Sequence, residues 1–338
     1  MAGYVPGEQP KANEFVKLNT NENPYPASPA VVRAVEETIR GGLERYPHPM
    51  ADPFRHKAAE VLGVEPDWIL AGNGSDDILT ITTRALVADG KLLRLPYPSY
   101  ILYKTLAQIQ GARSEEVEFE QDWSLSERFF EADDDLRMVF LPNPNSPSGT
   151  VIPPEKILEL AERLPCPLLV DEAYADFAEF NCLDLVAKNE KIMVSRTLSK
   201  SYALAGLRFG FLVAQPHMIA QFAKVKDSYN CDALSIAAAT AAIGDQQWLV
   251  ENRAKILATR ERLTARLREL GFKVIDSQAN FVWSAHPEQP SKPLYEQLKA
   301  DGYLVRYMDY PGWGDGLRIS VGTDEQIDGC LASLEAAL

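Results

Sequence analysis

Lys200 stands inside V-S-R-T-L-S-K-S-Y-A-L-A-G-L-R-F-G, residues 194–210. Ser195, Thr197 and Ser199 set three hydroxyls ahead of the amine, and Gly206, Arg208 and Gly210 follow it in a small, apolar setting. An amine among apolar and cationic neighbours has its charged form disfavoured, so its pKa falls and it can form a Schiff base with a carbonyl. The hydroxyls and the Arg208 guanidinium are donors suited to phosphate oxygens. Taken alone, the segment also fits a solvated loop lysine beside a basic patch. A second group weighs against that. L-L-V-D-E-A-Y-A-D-F is an apolar strand ending in Asp171, and the carboxyl ends of such strands are where open α/β sheets bind ligands. A carboxylate buried there either faces a cation or caps the next turn. Pyridoxal phosphate needs a lysine for its aldehyde, donors for its phosphate and an acid for its ring nitrogen. Lys200 and Asp171 are complementary halves of such a site.

Other segments carry candidate contacts. W-I-L-A-G-N-G-S-D-D-I-L-T reads as strand, glycine turn and helix start, so the helix N-terminus at Ser75 and Asp76 can bind phosphate, or one of these side chains is a plain N-cap. Tyr97, Tyr100 and Tyr103 recur at spacing three after the next strand. They are either core or a flat ring for stacking on a planar cofactor, and Tyr100, directly after the turn, is the best placed. Arg306 and Arg318 each sit in a strand, near P-G-W-G-D-G. Strand arginines usually face solvent, but two beside such a loop can clamp anionic groups bidentately.

These groups need a framework. An extended arm rich in Pro, Asn and Gly occupies residues 1–27, a large cofactor-binding lobe residues 28–240, and a smaller α+β lobe residues 241–338. The helix at 28–41, with Ser28 as N-cap, is able to pack against either lobe. A further helix covers 53–62. Strand R-M-V-F-L leads into P-N-P-N-S-P-S-G-T, residues 142–150, and a long helical region runs to about Leu270 with Ile256, Leu263, Leu267 and Leu270 on one face. Strands F-K-V-I and N-F-V-W, a helix closed by Gly302, strands Y-L-V-R and G-L-R-I-S-V, and a last helix opened by a Thr323–Gln326 capping box complete the smaller lobe.

Composition narrows the function classes. At 338 residues, 46% hydrophobic and 24% charged, the chain reads as an ordinary globular protein with room for two lobes. A net charge of −14 argues against a nucleic-acid partner. The four cysteines and four histidines are scattered without ligand spacing, so no metal site is expected and the thiols are expected to be reduced, as in cytoplasm. No basic and apolar leader opens the sequence, and no apolar run approaches the roughly 20 residues of a membrane span.

Taken together the segments resemble the fold-type I pyridoxal-phosphate aminotransferases, and among them the histidinol-phosphate aminotransferase group. The resemblance rests on the order and spacing of Y-V-P-G-E-Q, L-N-T-N-E-N-P, R-Y-P-H-P, G-N-G-S-D-D, P-N-S-P-S-G, V-D-E-A-Y, R-T-L-S-K-S-Y-A-L-A-G-L-R-F-G and L-R-I-S-V-G, which span nearly the whole chain. It implies an α/β fold: a three-layer large domain with a mainly parallel sheet, plus a smaller α+β domain. It implies that Lys200 binds the cofactor covalently and moves the substrate proton, that Asp171 pairs with the ring nitrogen and that Tyr174 bonds the ring hydroxyl oxygen. Tyr100 would stack on the ring. Ser75, Asp76, Ser199 and Arg208 would hold the phosphate, with Thr197 a weaker member of that cradle. Tyr46 resembles the tyrosine that reaches the phosphate from the neighbouring subunit, which makes a homodimer the expected active unit. Arg318 matches the arginine for the substrate or 2-oxoglutarate carboxylate, and Arg306, with Tyr4, one that favours the phosphate end of histidinol phosphate.

One position departs from the pattern. Where many relatives have N-N-P-T-G, this chain has Asn145-Ser146-Pro147-Ser148-Gly149, so either Asn145 supplies the amide from one position earlier or Ser146 makes a shorter contact. Asn145 is the expected cofactor ligand. The implied reaction exchanges L-histidinol phosphate and 2-oxoglutarate for imidazole-acetol phosphate and glutamate, a step of histidine biosynthesis. An aromatic amino-acid aminotransferase, a threonine-phosphate decarboxylase on the same scaffold and a catalytically silent binding module are the alternatives. Retention of Lys200, Asp171, Tyr174 and Arg208 counts against the last.

Overall fold

The structure, a computed structural model, describes residues 7–10 and 15–338. Tyr4 therefore lies outside the described residues. Seven strands form the large sheet in the order Ile69–Gly72, Gly210–Val213, Ile192–Thr197, Leu168–Asp171, Leu136–Pro142, Leu92–Tyr97 and Arg113–Glu118. Gly210–Val213 runs antiparallel to both neighbours, and the other pairings are parallel. Apolar residues run continuously along the central strands because both faces are covered. Val139, Leu141, Leu168, Val170, Ile192 and Val194 pack on one side, while Met138, Phe140, Leu169 and Met193 pack on the other. Period-two alternation thus feeds two separate cores, and helices cover each face as three layers.

A second sheet, in the order Arg306–Tyr310, Gly314–Ser320, Phe281–Ala285 and Lys273–Val274, is antiparallel throughout. Its apolar face shares a core with Leu263 and Leu267 of helix Gln246–Glu269, and with Leu294, Leu298, Ile327, Leu331 and Leu334. The capping box at Thr323 and Gln326 opens the last helix as expected, and Gly302, at φ 88°, follows the helix before it.

Several boundaries differ from the sequence reading. The stretch expected as one helical region divides into Pro216–Val225, Ala233–Gly244 and Gln246–Glu269. Asp232 and Asp245 are the reason, since their carboxylates accept from the backbone N–H of Ser235 and Trp248 and so begin new helices. The expected strand Y-L-V-R also divides. Tyr303–Leu304 pairs in parallel with Val16–Lys17 of the arm, and Arg306 begins a separate strand. Helix Pro29–Gly41 has Ser28 as its N-cap and packs against Ala233–Gly244, on the core of the large sheet. Ser28 Oγ also donates to Asp245 Oδ2 at 2.5 Å, at the start of the long helix.

Candidate active site

The carboxyl ends of the parallel strands, the start of helix Ser75–Leu86 and one face of the smaller sheet enclose a cleft. Lys200, Asp171, Tyr174, Ser75, Asp76, Tyr100, Thr197, Ser199, Arg208, Arg306 and Arg318, eleven of the sequence-derived candidates, line it. Strand pairing explains much of this convergence. Asp171 ends its strand beside Ser195 of the neighbouring strand, and the lysine loop begins where that neighbour stops, at Thr197.

Asp171 is buried at 4% exposure. Its Oδ2 accepts from the Tyr103 hydroxyl at 2.7 Å and its Oδ1 from Ser195 Oγ at 3.0 Å. Burial pushes its pKa up to about 6, partly offset by these hydroxyls. Asp171 is thus no turn cap of the simple kind, and Ser195 serves the acid while Thr197 and Ser199 remain for the far end of the cleft.

Lys200 donates from Nζ to the Thr20 carbonyl at 2.9 Å and lies 5.9 Å from the centre of the Tyr174 ring. Burial, followed by the charge of Arg318, pulls its pKa down to about 8. The arm fastens the loop: Asn23 Nδ2 donates to the carbonyls of Lys200 and Ser201, each at 3.0 Å. Asn21 Nδ2 donates to the Tyr174 hydroxyl at 2.9 Å. Behind the loop, Asp176 accepts from Arg196 Nη1 at 2.8 Å and from Ser201 Oγ, and Arg196 Nε donates to Glu172 at 2.9 Å.

At the other end, Gly74 precedes helix Ser75–Leu86 and no side chain caps it, so neither Ser75 nor Asp76 is a plain N-cap. Arg208 turns through left-handed backbone, φ 50°. Its Nη1 donates to Ser199 Oγ at 3.3 Å and its Nη2 to Asp76 Oδ2 at 3.1 Å. Thr197 Oγ1 donates to Ser199 Oγ at 3.0 Å. The approach is close: a Cβ on Gly210 would stand 2.5 Å from the Ser75 nitrogen and 2.7 Å from the Gly74 carbonyl carbon, both backbone atoms. Only glycine lets that strand lie against the helix start.

On the facing wall, Arg306 and Arg318 are opposite each other in the antiparallel register. Like charges placed so repel unless an anion lies between or near them. Arg318 Nη1 donates to Ser146 Oγ at 2.8 Å and Nη2 to the Asn19 carbonyl at 3.1 Å.

Two candidates fall elsewhere. Asn145 is buried behind the wall, its amide donating to the Pro98 carbonyl at 3.2 Å and to Ser148 Oγ at 3.0 Å. Its NH2 is spent inside its own loop, and Ser146 is the residue of that pair which reaches the cleft. Tyr46 is 82% exposed and stacks on Tyr229 with ring centres 4.5 Å apart, away from this chain's cleft. The three tyrosines also separate. Tyr103 is core, Tyr100 lines the cleft, and Tyr97 donates its hydroxyl to the Pro311 carbonyl at 3.1 Å. The sequence reading missed Tyr103 and Ser195 as partners of Asp171, and Asn21 and Asn23 as fasteners. The polar run L-N-T-N-E-N-P was their only signal, and it named no partner.

These residues fit pyridoxal phosphate. Asp171 is a buried carboxylate whose two side-chain contacts are neutral hydroxyls, so a cationic ring N–H is the partner its environment lacks. Arg208, Ser199 and the helix start offer donors to an anion at the opposite end. No group of three or more His, Cys, Asp or Glu side chains placed to hold a metal occurs among the described residues, and no helix among them is long and apolar enough to cross a membrane.

Comparison with known proteins agrees with this geometry. The family described as aminotransferase class I and II matches residues 13–334. A histidinol-phosphate aminotransferase of Rhodopirellula baltica is 61% identical over 339 aligned positions, covering 100% of this chain and 94% of that protein. Another, from Trichormus variabilis, is 46% identical and covers 96% and 93%. Among solved structures, histidinol-phosphate aminotransferase from Sinorhizobium meliloti in complex with pyridoxal 5'-phosphate superposes with a TM-score of 0.89 at 25% identity, over 96% of this chain and 91% of that one. Aspartate aminotransferase from Thermus thermophilus shares the fold, with a TM-score of 0.82 at 19% identity and coverage of 96% and 92%. The chain belongs to the class I and II aminotransferases and, within them, to the histidinol-phosphate aminotransferase group.

Proposed function

We propose that the protein catalyses pyridoxal-phosphate-dependent transamination between L-histidinol phosphate and 2-oxoglutarate, giving imidazole-acetol phosphate and glutamate. The observation that carries it is the gathering of Lys200, Asp171 and the Arg306–Arg318 pair around one cleft. Full-length similarity to histidinol-phosphate aminotransferases supports the substrate. It favours neither the aromatic aminotransferase nor the phosphothreonine decarboxylase.

Bound there, pyridoxal phosphate supplies an aldehyde carbon for covalent attachment and a protonated ring that takes up the electron pair left when the substrate Cα loses its proton. Asp171, held ionised by Tyr103 and Ser195, keeps the ring nitrogen protonated. Tyr174 bonds the ring hydroxyl oxygen and is itself held by Asn21. Ser75, Asp76, Ser199, Arg208 and, more weakly, Thr197 hold the phosphate, with Asp76 balancing the Arg208 charge. Tyr100 covers the ring. A pKa of about 8 leaves Lys200 a neutral fraction of roughly a tenth at pH 7, so Nζ can take the Cα proton and return it to the neighbouring carbon. Arg318 binds the carboxylate of glutamate or 2-oxoglutarate, and Arg306 the phosphate of histidinol phosphate. Glutamate and histidinol phosphate thereby use one site in alternate half-reactions.

The active unit in this reading is a homodimer. Val32, Ile39, Leu43 and Tyr46 expose large apolar side chains within one short stretch, and a second copy covering them would carry Tyr46 to its partner's phosphate end. The domain division at residues 28–240 and 241–338 belongs to the same reading, since the two sheets have separate cores. The test is the exchange itself: kcat/KM for histidinol phosphate should exceed that for phenylalanine and tyrosine, and carbon dioxide release without 2-oxoglutarate would instead make the protein a decarboxylase.

A further inference from the structure

We infer that Ser146 is the positioning residue for Arg318, acting on carboxylate binding through the guanidinium. The inference rests on the transamination reading above. Ser146 is 7% exposed, sits on the loop after strand Leu136–Pro142, and forms part of the cleft wall. Arg318 comes from the other sheet, 172 positions further along the chain. Their bond, Arg318 Nη1 donating to Ser146 Oγ at 2.8 Å, is therefore a tie between the two lobes made at the mouth of the site.

Arg318 has five N–H donors in one plane, and a bidentate carboxylate is recognised only if that plane is correctly turned. Three segments set the plane here. Ser146 accepts from Nη1, the Asn19 carbonyl accepts from Nη2 at 3.1 Å, and the Phe281 ring lies 5.2 Å from the guanidinium carbon. Ser146 is the side-chain acceptor of the three, so it can be altered without moving backbone. A neutral hydroxyl suits the task. It orients the fork, yet an arriving carboxylate makes a charge-assisted bond about twice as strong and is not outcompeted. The neighbouring Asn145 cannot substitute, because its amide donates to Pro98 and Ser148 inside the loop and carries no acceptor contact with Arg318.

The experiment compares the pyridoxal-phosphate-loaded wild type with Ser146→Ala and with the conservative Ser146→Thr, which keeps the hydroxyl. Binding of 2-oxoglutarate is measured by calorimetry, and binding of pyridoxal phosphate and the pH midpoint of the visible absorbance are measured alongside, with thermal melts to verify folding. Ser146→Ala should weaken 2-oxoglutarate about tenfold and raise its KM by more than it lowers kcat, without moving cofactor affinity or the midpoint. Ser146→Thr should recover most of that loss. Unchanged 2-oxoglutarate binding in Ser146→Ala overturns the inference. So does a change confined to cofactor affinity or to the midpoint, which would make Ser146 a cofactor contact. If the wild type exchanges no amino group while Ser146→Ala still weakens 2-oxoglutarate, the transamination reading falls and the positioning role stands.

Discussion

Tyr103 donates its hydroxyl to Asp171 Oδ2 at 2.7 Å from helix Leu102–Ile109, on the layer that packs against the opposite face of the sheet from helix Pro154–Arg163. The phenol is fully buried, and burial together with the carboxylate beside it holds its pKa well above the usual range, so it stays a donor. A hydroxyl that can only donate favours the ionised form of its partner.

Replacing Tyr103 with Phe keeps the ring and removes that donor. A hydrogen bond to a charged group contributes about 1.5–3 kcal/mol, so pyridoxal phosphate should bind at least about tenfold more weakly to Tyr103→Phe in a fluorescence titration. An unchanged affinity would show that the phenol does not support Asp171.

Asp171 also makes a pH-dependent prediction for the cofactor-free protein. Its folded pKa of about 6 lies above the model value of 3.8. The folded state therefore binds more protons between these values, and stability falls as pH rises through that window. About two pKa units correspond to roughly 3 kcal/mol. Asp171→Asn should accordingly be more stable than wild type at pH 7 without cofactor, with the difference fading towards pH 4, as thermal melts across that range would read. With pyridoxal phosphate bound the order should reverse, and its kcat should fall by roughly a hundredfold or more. Equal melts at pH 7 would contradict the burial argument.

Asn23 ties the arm to the lysine loop through two carbonyls. Asn23→Ala leaves both without that partner and should lower stability by about 1–2 kcal/mol. Because the loop carries Lys200, kcat should drop more than KM changes. A loss of stability alone, with kcat intact, would make the tie purely structural.

Tyr46 offers a test of the dimer. Mixing Lys200→Ala with Tyr46→Ala subunits in equal amounts places, in half of the dimers, one intact lysine opposite one intact tyrosine. If Tyr46 serves its partner's site, activity should recover to about a quarter of wild type. If it serves its own chain, mixing should restore nothing.

The parts of the site legible in the sequence are those whose signal is local. Lys200, Arg208 and Ser75 sit beside glycines that the chain needs for close approach, and Asp171 ends a run of apolar residues whose both-sided burial is visible as a run. Periodicity likewise marked Ile256, Leu263 and Leu267, all fully buried. What was not legible depends on residues far apart. Tyr103 and Asp171 are 68 positions apart, Ser146 and Arg318 are 172, and Asn23 meets Lys200 across 177. Nothing in a tyrosine at helical spacing tells core from ligand until the sheet brings a carboxylate to it. Asn145 was favoured over Ser146 on side-chain length and chemistry. Strand and loop geometry decides otherwise, because the Asn145 amide finds two acceptors inside its own turn.

The most direct test of the central claim is borohydride reduction of the purified protein after loading with pyridoxal phosphate, followed by peptide mass mapping. The account predicts a single stable adduct on Lys200, with loss of visible absorbance on reduction and no adduct in Lys200→Ala. An adduct on a different lysine, or none at all, would contradict it.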